Sequence, residues 1–189
     1  MVVRGALFAL LIAGCTAKPA VAPGEPVPGV IVADAAGQPV DLRATASRAP
    51  FTVVEFFSAH CPCQQVHDAR LRALYTDFAP RGVGFYAIDA EREASAERAK
   101  RESADRHYPY PLLVDPRGAS ADALGAEFAT YTVILDRDGR VRYAGGIDSD
   151  RTHLTGDAHA YLRDALDDLL AGREPRVARG KALGCALAR

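Results

Sequence analysis

The run Phe51 to Phe57, continuing through Ser58-Ala59-His60 into Cys61-Pro62-Cys63, constrains the fold more than any other stretch. Its residues are aromatic or β-branched except Glu55, so it reads as a strand covered on both faces, in the middle of a sheet. Pro62 suits the first position of a helix, where a missing N–H costs nothing, and this makes Cys61 the N-cap. Leu71, Leu74, Tyr75 and Phe78 recur at helical spacing and predict a helix through about Ala79. A strand that runs directly into a helix places a thiol at the helix N-terminus. Unpaired amides and the positive end of the helix dipole favour a thiolate there. The thiolate is the reactive form of cysteine. The Cys61 sulfur is expected to accept a hydrogen bond from the amide of Cys63 or Gln64.

The rest of the body alternates strands and helices. Val30 to Ala33 and Val40 to Leu42 flank Asp34-Ala35-Ala36-Gly37-Gln38 and read as a hairpin. Gly82 to Ile88 is the next strand, Ala94 to His107 a charged, alanine-rich helix, Pro111 to Val114 a short strand and Ala119 to Ala126 a short helix. Tyr131 to Leu135 and Val141 to Ala144 pair around Asp136-Arg137-Asp138-Gly139-Arg140. Asp157 to Leu170 is the last helix, with Tyr161, Leu162, Ala165, Leu166 and Leu169 inward and Gly172 as its cap. This order predicts an α/β fold, a mixed sheet flanked by helices on both faces.

Arg4 precedes a short apolar run, Ala6 to Ala13, well under the roughly 20 residues a spanning helix needs. The run ends in Leu11-Ile12-Ala13-Gly14-Cys15, which resembles the bacterial lipobox. The resemblance implies cleavage before Cys15 and lipidation of that residue. Residues 1–14 are then a lipoprotein signal peptide, 15–29 a Pro-rich tether, 30–172 the folded domain and 173–189 a flexible, solvated C-terminal tail. The mature protein is expected in the bacterial cell envelope, lipid-anchored and facing the periplasm, where disulfides persist. With a formal net charge of −1 and no basic stripe, the composition gives no support for a nucleic-acid partner.

Cys61 is the expected nucleophile. Cys63 offers a second thiol one residue away, although side chains diverging at that spacing would strain a disulfide and make it easy to reduce. Cys185, on the tail, is the alternative resolving thiol. Adjacency favours the Cys61–Cys63 pair. Glu55 lies mid-strand, six residues before Cys61, where burial raises a carboxyl pKa and allows proton exchange near neutrality. His60 and His67, near the cysteines, raise a copper(I) reading, with His153 or His159 as a distant ligand. The spacing does not match, His67 shares the inward stripe of Leu71, and no metal site or cofactor is assigned.

The element order and Val54-Glu55-Phe56-Phe57-Ser58-Ala59-His60-Cys61-Pro62 resemble the thioredoxin-like fold in its redoxin branch. Leu135 to Val141 resembles that family's strand-turn-strand, and Gly184-Cys185 a terminal Gly-Cys found in one redoxin subgroup. The resemblance implies an oxidoreductase that acts on protein disulfides or peroxide, with a thiol electron donor, and a proton-moving role for Glu55. It leaves open a peroxiredoxin-like peroxidase and a copper-handling binding module. Three positions depart from the family pattern. A single residue separates the two cysteines, so Gln64 stands where the second cysteine would fall. Thr130 occupies the place of the family's cis-proline or arginine. The peroxiredoxin Thr-x-x-Cys is matched only by Ser58-Ala59-His60-Cys61, without its upstream proline.

Overall fold

A computed structural model describes residues 21–189. The signal-peptide reading and Cys15 lie outside the described residues. Seven strands form one mixed sheet in the order β2-β1-β5-β4-β3-β6-β7. The strands are β1 (Ile31–Ala33), β2 (Pro39–Asp41), β3 (Phe51–Phe57), β4 (Gly84–Asp89), β5 (Leu112–Val114), β6 (Thr132–Asp136) and β7 (Val141–Gly145). β3 runs parallel to β4 and antiparallel to β6, which gives the apolar run the central place its composition demands. The hairpins at Asp34 and Asp136 form as read. The Asp34 carboxylate accepts the amides of Ala36 and Gln38, and Asp136 accepts those of Asp138 and Arg140.

The helices are α1 (Leu42–Ala46), α2 (Pro62–Phe78), α3 (Ala96–Asp105), α4 (Ala119–Leu124) and α5 (Tyr161–Leu170). α2, α3 and α5 cover one face of the sheet, and α1 and α4 the other. On α2, Leu71, Leu74 and Phe78 are buried, as their spacing predicts. Pro80 and Gly82, the latter at φ +88°, end the helix and turn the chain into β4. α1 went unread in the sequence, although Asp41 caps it by accepting the amides of Arg43 and Ala44. α5 begins at Tyr161, four residues later than the apolar pattern suggests.

Two segments differ from their sequence reading. The distal part of the expected tether, Val21 to Gly29, is docked. Val21 and Val27 are buried, and the amides of Gly24 and Val27 donate to the carbonyls of Val141 and Gly139. The C-terminal tail is not loose either. Ala144 exchanges backbone hydrogen bonds with Ala178 and Gly180. Further on, the Ala129 amide donates to Cys185 O (2.9 Å), the Leu187 amide to Glu127 O (3.0 Å) and the Arg92 amide to Ala188 O (2.8 Å). Phe128 and Ala186 form an antiparallel bridge. Each bond is worth about 0.5–1.5 kcal/mol net, so the set fixes the tail in register. Short-range periodicity carries no trace of such pairing.

Gly184 is the tight point of this docking, because a Cβ there would overlap the Ala129 carbonyl. Gly184→Ala is therefore expected to dislodge the tail at a cost of about 1–3 kcal/mol. The melting temperature should fall by about 2–4 °C for each kcal/mol. Limited proteolysis should then cut between residues 176 and 189. An uncut, equally stable variant would mean that the tail is held elsewhere.

Candidate active site

Cys61 follows β3 and Glu91 follows β4, so the site opens at the carboxyl ends of two parallel strands. Cys61 is the N-cap of α2, with extended backbone (φ −83°, ψ 117°) and Pro62 next, as the sequence predicts. The expected cap hydrogen bond is replaced by another. No amide of the first turn completes a bond to Sγ. Instead the Cys185 amide, brought 124 residues through the chain by the docked tail, donates to Cys61 Sγ at 3.2 Å. The amides of Gln64 and Cys63 at the helix start also favour the charged form of Cys61.

The Sγ atoms of Cys61, Cys63 and Cys185 all lie within 4.8 Å of one another. All three cysteines are free thiols. Cys61 and Cys63 are 1% and 2% exposed, and Cys185 is half-buried. Burial raises the Cys61 pKa, but the Cys185 thiol and amide and the nearby amides of the helix start outweigh it, and the thiol is held below its usual value. Burial and the neighbouring Cys61 charge push Cys63 up, with the Arg151 side chain opposing. Burial and donation to Cys61 push Cys185 to about 12. Of the three thiols, Cys61 is therefore the one most readily ionised.

Beside Cys61 is a cleft of about 310 Å³, lined by Ser58, His60, Glu91, Arg98, Cys185 and Ala188 among others. Both arginines at this cleft are engaged. Arg98 holds Asp89, Glu91 and Glu93, and Arg92 donates to the Arg189 carbonyl. Ser58 donates to Glu91 at 2.9 Å, tying the loop before Cys61 to the one after β4. Thr130 is buried with a left-handed backbone (φ +65°), strained for a β-branched residue. It stands directly after the Glu127–Ala129 segment to which the tail is bonded.

Glu55 is 1% exposed, and neither carboxylate oxygen has a hydrogen-bond partner. Burial and the nearby Asp68 charge raise its pKa well above the usual carboxylate range. It faces Gln64, the residue at the family's second cysteine position, whose Oε1 also lacks a partner. Gln64 Nε2 in turn donates to Asp68 (3.2 Å) and Tyr108 (3.1 Å), Tyr108 donates to Asp68, and Arg106 donates to Asp68 at 2.7 Å. The sequence reading missed Asp68, Arg106 and Tyr108. The four-residue step from Gln64 to Asp68 on one helix face was the available signal.

His67 is a structural residue, not a ligand of the cysteine group. Its Nδ1 lies 2.7 Å from the Cys63 carbonyl and its Nε2 3.2 Å from Asp148. Burial lowers its pKa, but these two acceptors dominate and raise it. Arg70 completes the cluster on Asp148 and Asp150. His153 and His159 are exposed, and His159 stacks on Tyr161. The cysteine–histidine copper set therefore does not assemble.

A family model described as Redoxin matches residues 22–161. No curated protein matches the chain. Among solved structures, an uncharacterized conserved protein from Geobacillus kaustophilus is 30% identical, with 88% of this chain and 92% of that one covered and a TM-score of 0.78. A hypothetical protein from Sinorhizobium meliloti 1021 is 27% identical, with 90% and 96% covered and a TM-score of 0.80. The thioredoxin domain of a thiol-disulfide oxidoreductase from Bacteroides vulgatus is 19% identical over 65% and 86%, with a TM-score of 0.53, a likeness of fold.

Glu55 and His67 leave separable marks on stability. A raised acid pKa means the folded state holds a proton that the unfolded state loses first, so stability falls as pH rises from about 4.5 through the folded pKa. Glu55→Gln should remove that slope and raise the melting temperature at pH 7. The His67 contribution is complete below about 6.5 and is lost as pH rises through its raised folded pKa. His67→Gln should flatten only this upper limb. Thermal melts from pH 4 to 9 test both, and a Glu55→Gln profile parallel to wild type would contradict the buried-proton assignment.

Proposed function

The chain belongs to the Redoxin family, and on that premise we propose that it is an envelope thiol-disulfide oxidoreductase whose working pair is Cys61 and Cys185. A thioredoxin-like redox function is common ground for the family. The choice of reaction and partner rests on one observation, the convergence of three sulfurs within 4.8 Å with the Cys185 amide on Cys61 Sγ.

In the proposed cycle the Cys61 thiolate attacks one sulfur of a protein disulfide. A mixed disulfide forms, and the other substrate sulfur leaves as a thiolate. Cys185 then gives up its proton and attacks Cys61 Sγ, releasing the second substrate thiolate. Two electrons pass to the substrate, and the protein keeps a Cys61–Cys185 disulfide. An external dithiol donor returns it to the reduced state by the reverse exchange. Tail docking gives Cys185 the effective concentration that adjacency gives Cys63. The eleven-atom ring of a Cys61–Cys63 disulfide closes at a helix start and carries more strain.

The reduced site is closed, since Cys61 is 1% exposed beneath the tail. Attack on a protein substrate therefore requires the tail to lift from Glu127–Ala129. An extended substrate segment can then pair with the backbone groups the tail vacates. In this reading Glu55, buried beneath the helix start with its pKa raised, is the group that exchanges protons with the site. The peroxidase reading finds less support, because both arginines at the cleft are engaged. Cys15 lipidation would tether the domain to the membrane, a part of the proposal that rests on the sequence alone.

Reduction of insulin by a dithiol donor tests the cycle. Cys61→Ser should lower turnover at least 100-fold. Cys185→Ser should accumulate a Cys61–substrate mixed disulfide, seen by intact mass, with turnover reduced at least tenfold. Unimpaired turnover in Cys185→Ser would assign resolution to Cys63. Stoichiometric sulfenic acid at Cys61 from one equivalent of peroxide, faster than exchange with insulin, would favour the peroxidase.

A further inference from the structure

We propose that the reduced protein binds one copper(I) ion through the three thiolates of Cys61, Cys63 and Cys185. The argument is independent of the redox cycle. Three sulfurs bound to one metal at about 2.3 Å in a trigonal plane lie about 4.0 Å apart. The three Sγ atoms here are within 4.8 Å of one another in the free protein, so little movement is needed.

The donor set selects the metal. Among the described residues, no histidine or carboxylate joins the three cysteines. His67, the nearest candidate in sequence, has both ring nitrogens committed to the Cys63 carbonyl and Asp148. Structural zinc sites take four protein ligands. Three soft sulfurs without a fourth donor suit copper(I). The surroundings fit a buried thiolate site. Cys61 and Cys63 belong to an apolar cluster with Phe56, Ala126 and Ala129, against which Cys185 packs. The Cys185 amide already donates to Cys61 Sγ at 3.2 Å, the kind of outer hydrogen bond that orients a metal-bound sulfur.

Binding displaces the thiol protons and leaves copper as copper(I), with no change of oxidation state. A disulfide between any two of the cysteines removes two ligands, so the oxidised protein should release the ion. The tail carries one ligand, which couples metal retention to tail docking.

The test is an anaerobic titration of the reduced protein with copper(I), in competition with bicinchoninate. One copper per chain is expected, with X-ray absorption showing three sulfur neighbours. Cys63→Ser and Cys185→Ser should each weaken binding at least 100-fold, while His60→Ala leaves it unchanged. The oxidised wild-type protein should not compete for copper, a control that needs no substitution. Equal affinity in Cys185→Ser, copper bound by the oxidised protein, nitrogen or oxygen neighbours, or tighter binding of zinc(II) than of copper(I) would overturn the proposal.

Discussion

The hydrogen bond from the Cys185 amide to Cys61 Sγ is the contact on which the site depends. It joins two residues 124 apart and exists only because the tail pairs with Glu127–Ala129 and with Ala144 of β7. Without the tail, Cys61 would lack both this donor and the third sulfur beside it. With the tail, the same thiol is buried, charge-stabilised and one of three. Closure thus blocks access to Cys61 and supplies a hydrogen-bond donor to its sulfur in a single step. Reactivity toward a protein substrate becomes a question of how readily a short set of backbone bonds opens.

Beneath this lies a second constraint, the buried acid. Glu55 sits in the central strand with no hydrogen-bond partner on either oxygen, and burial pushes its pKa well above the usual carboxylate range. Gln64 occupies the helix position above it, where a dithiol relative would place its second cysteine. The thiol displaced from that position reappears at Cys63, one residue closer to the helix start, and at Cys185 on the tail. Gln64 carries a side-chain amide where such a relative has a thiol. Asp68, Tyr108 and Arg106 hold that amide in place.

Much of the frame was legible in the sequence because local chemistry fixes it. Pro62 after a β-branched run marks a strand-to-helix junction, and Asp34 and Asp136 mark their turns by bonding amides ahead of them. Leu71, Leu74 and Phe78 mark the face of α2. What the sequence concealed was non-local. Residues 176–189 have neither helical nor alternating apolar spacing, so they read as solvated, yet they dock by backbone pairing that any side chain permits. Val21 to Gly29 escaped for the same reason. Glu55 was readable as a buried acid, but Arg106 and Tyr108 reach Asp68 from 38 and 40 residues away, a distance no local pattern spans.

The most direct test of the account is a disulfide map of the protein oxidised by one equivalent of a small disulfide. If the docked tail supplies the resolving thiol, peptide mass analysis will find Cys61 linked to Cys185 and Cys63 alkylated as a free thiol. A Cys61–Cys63 link with Cys185 free would contradict it. The tail would then be a cover for the site and not part of its chemistry.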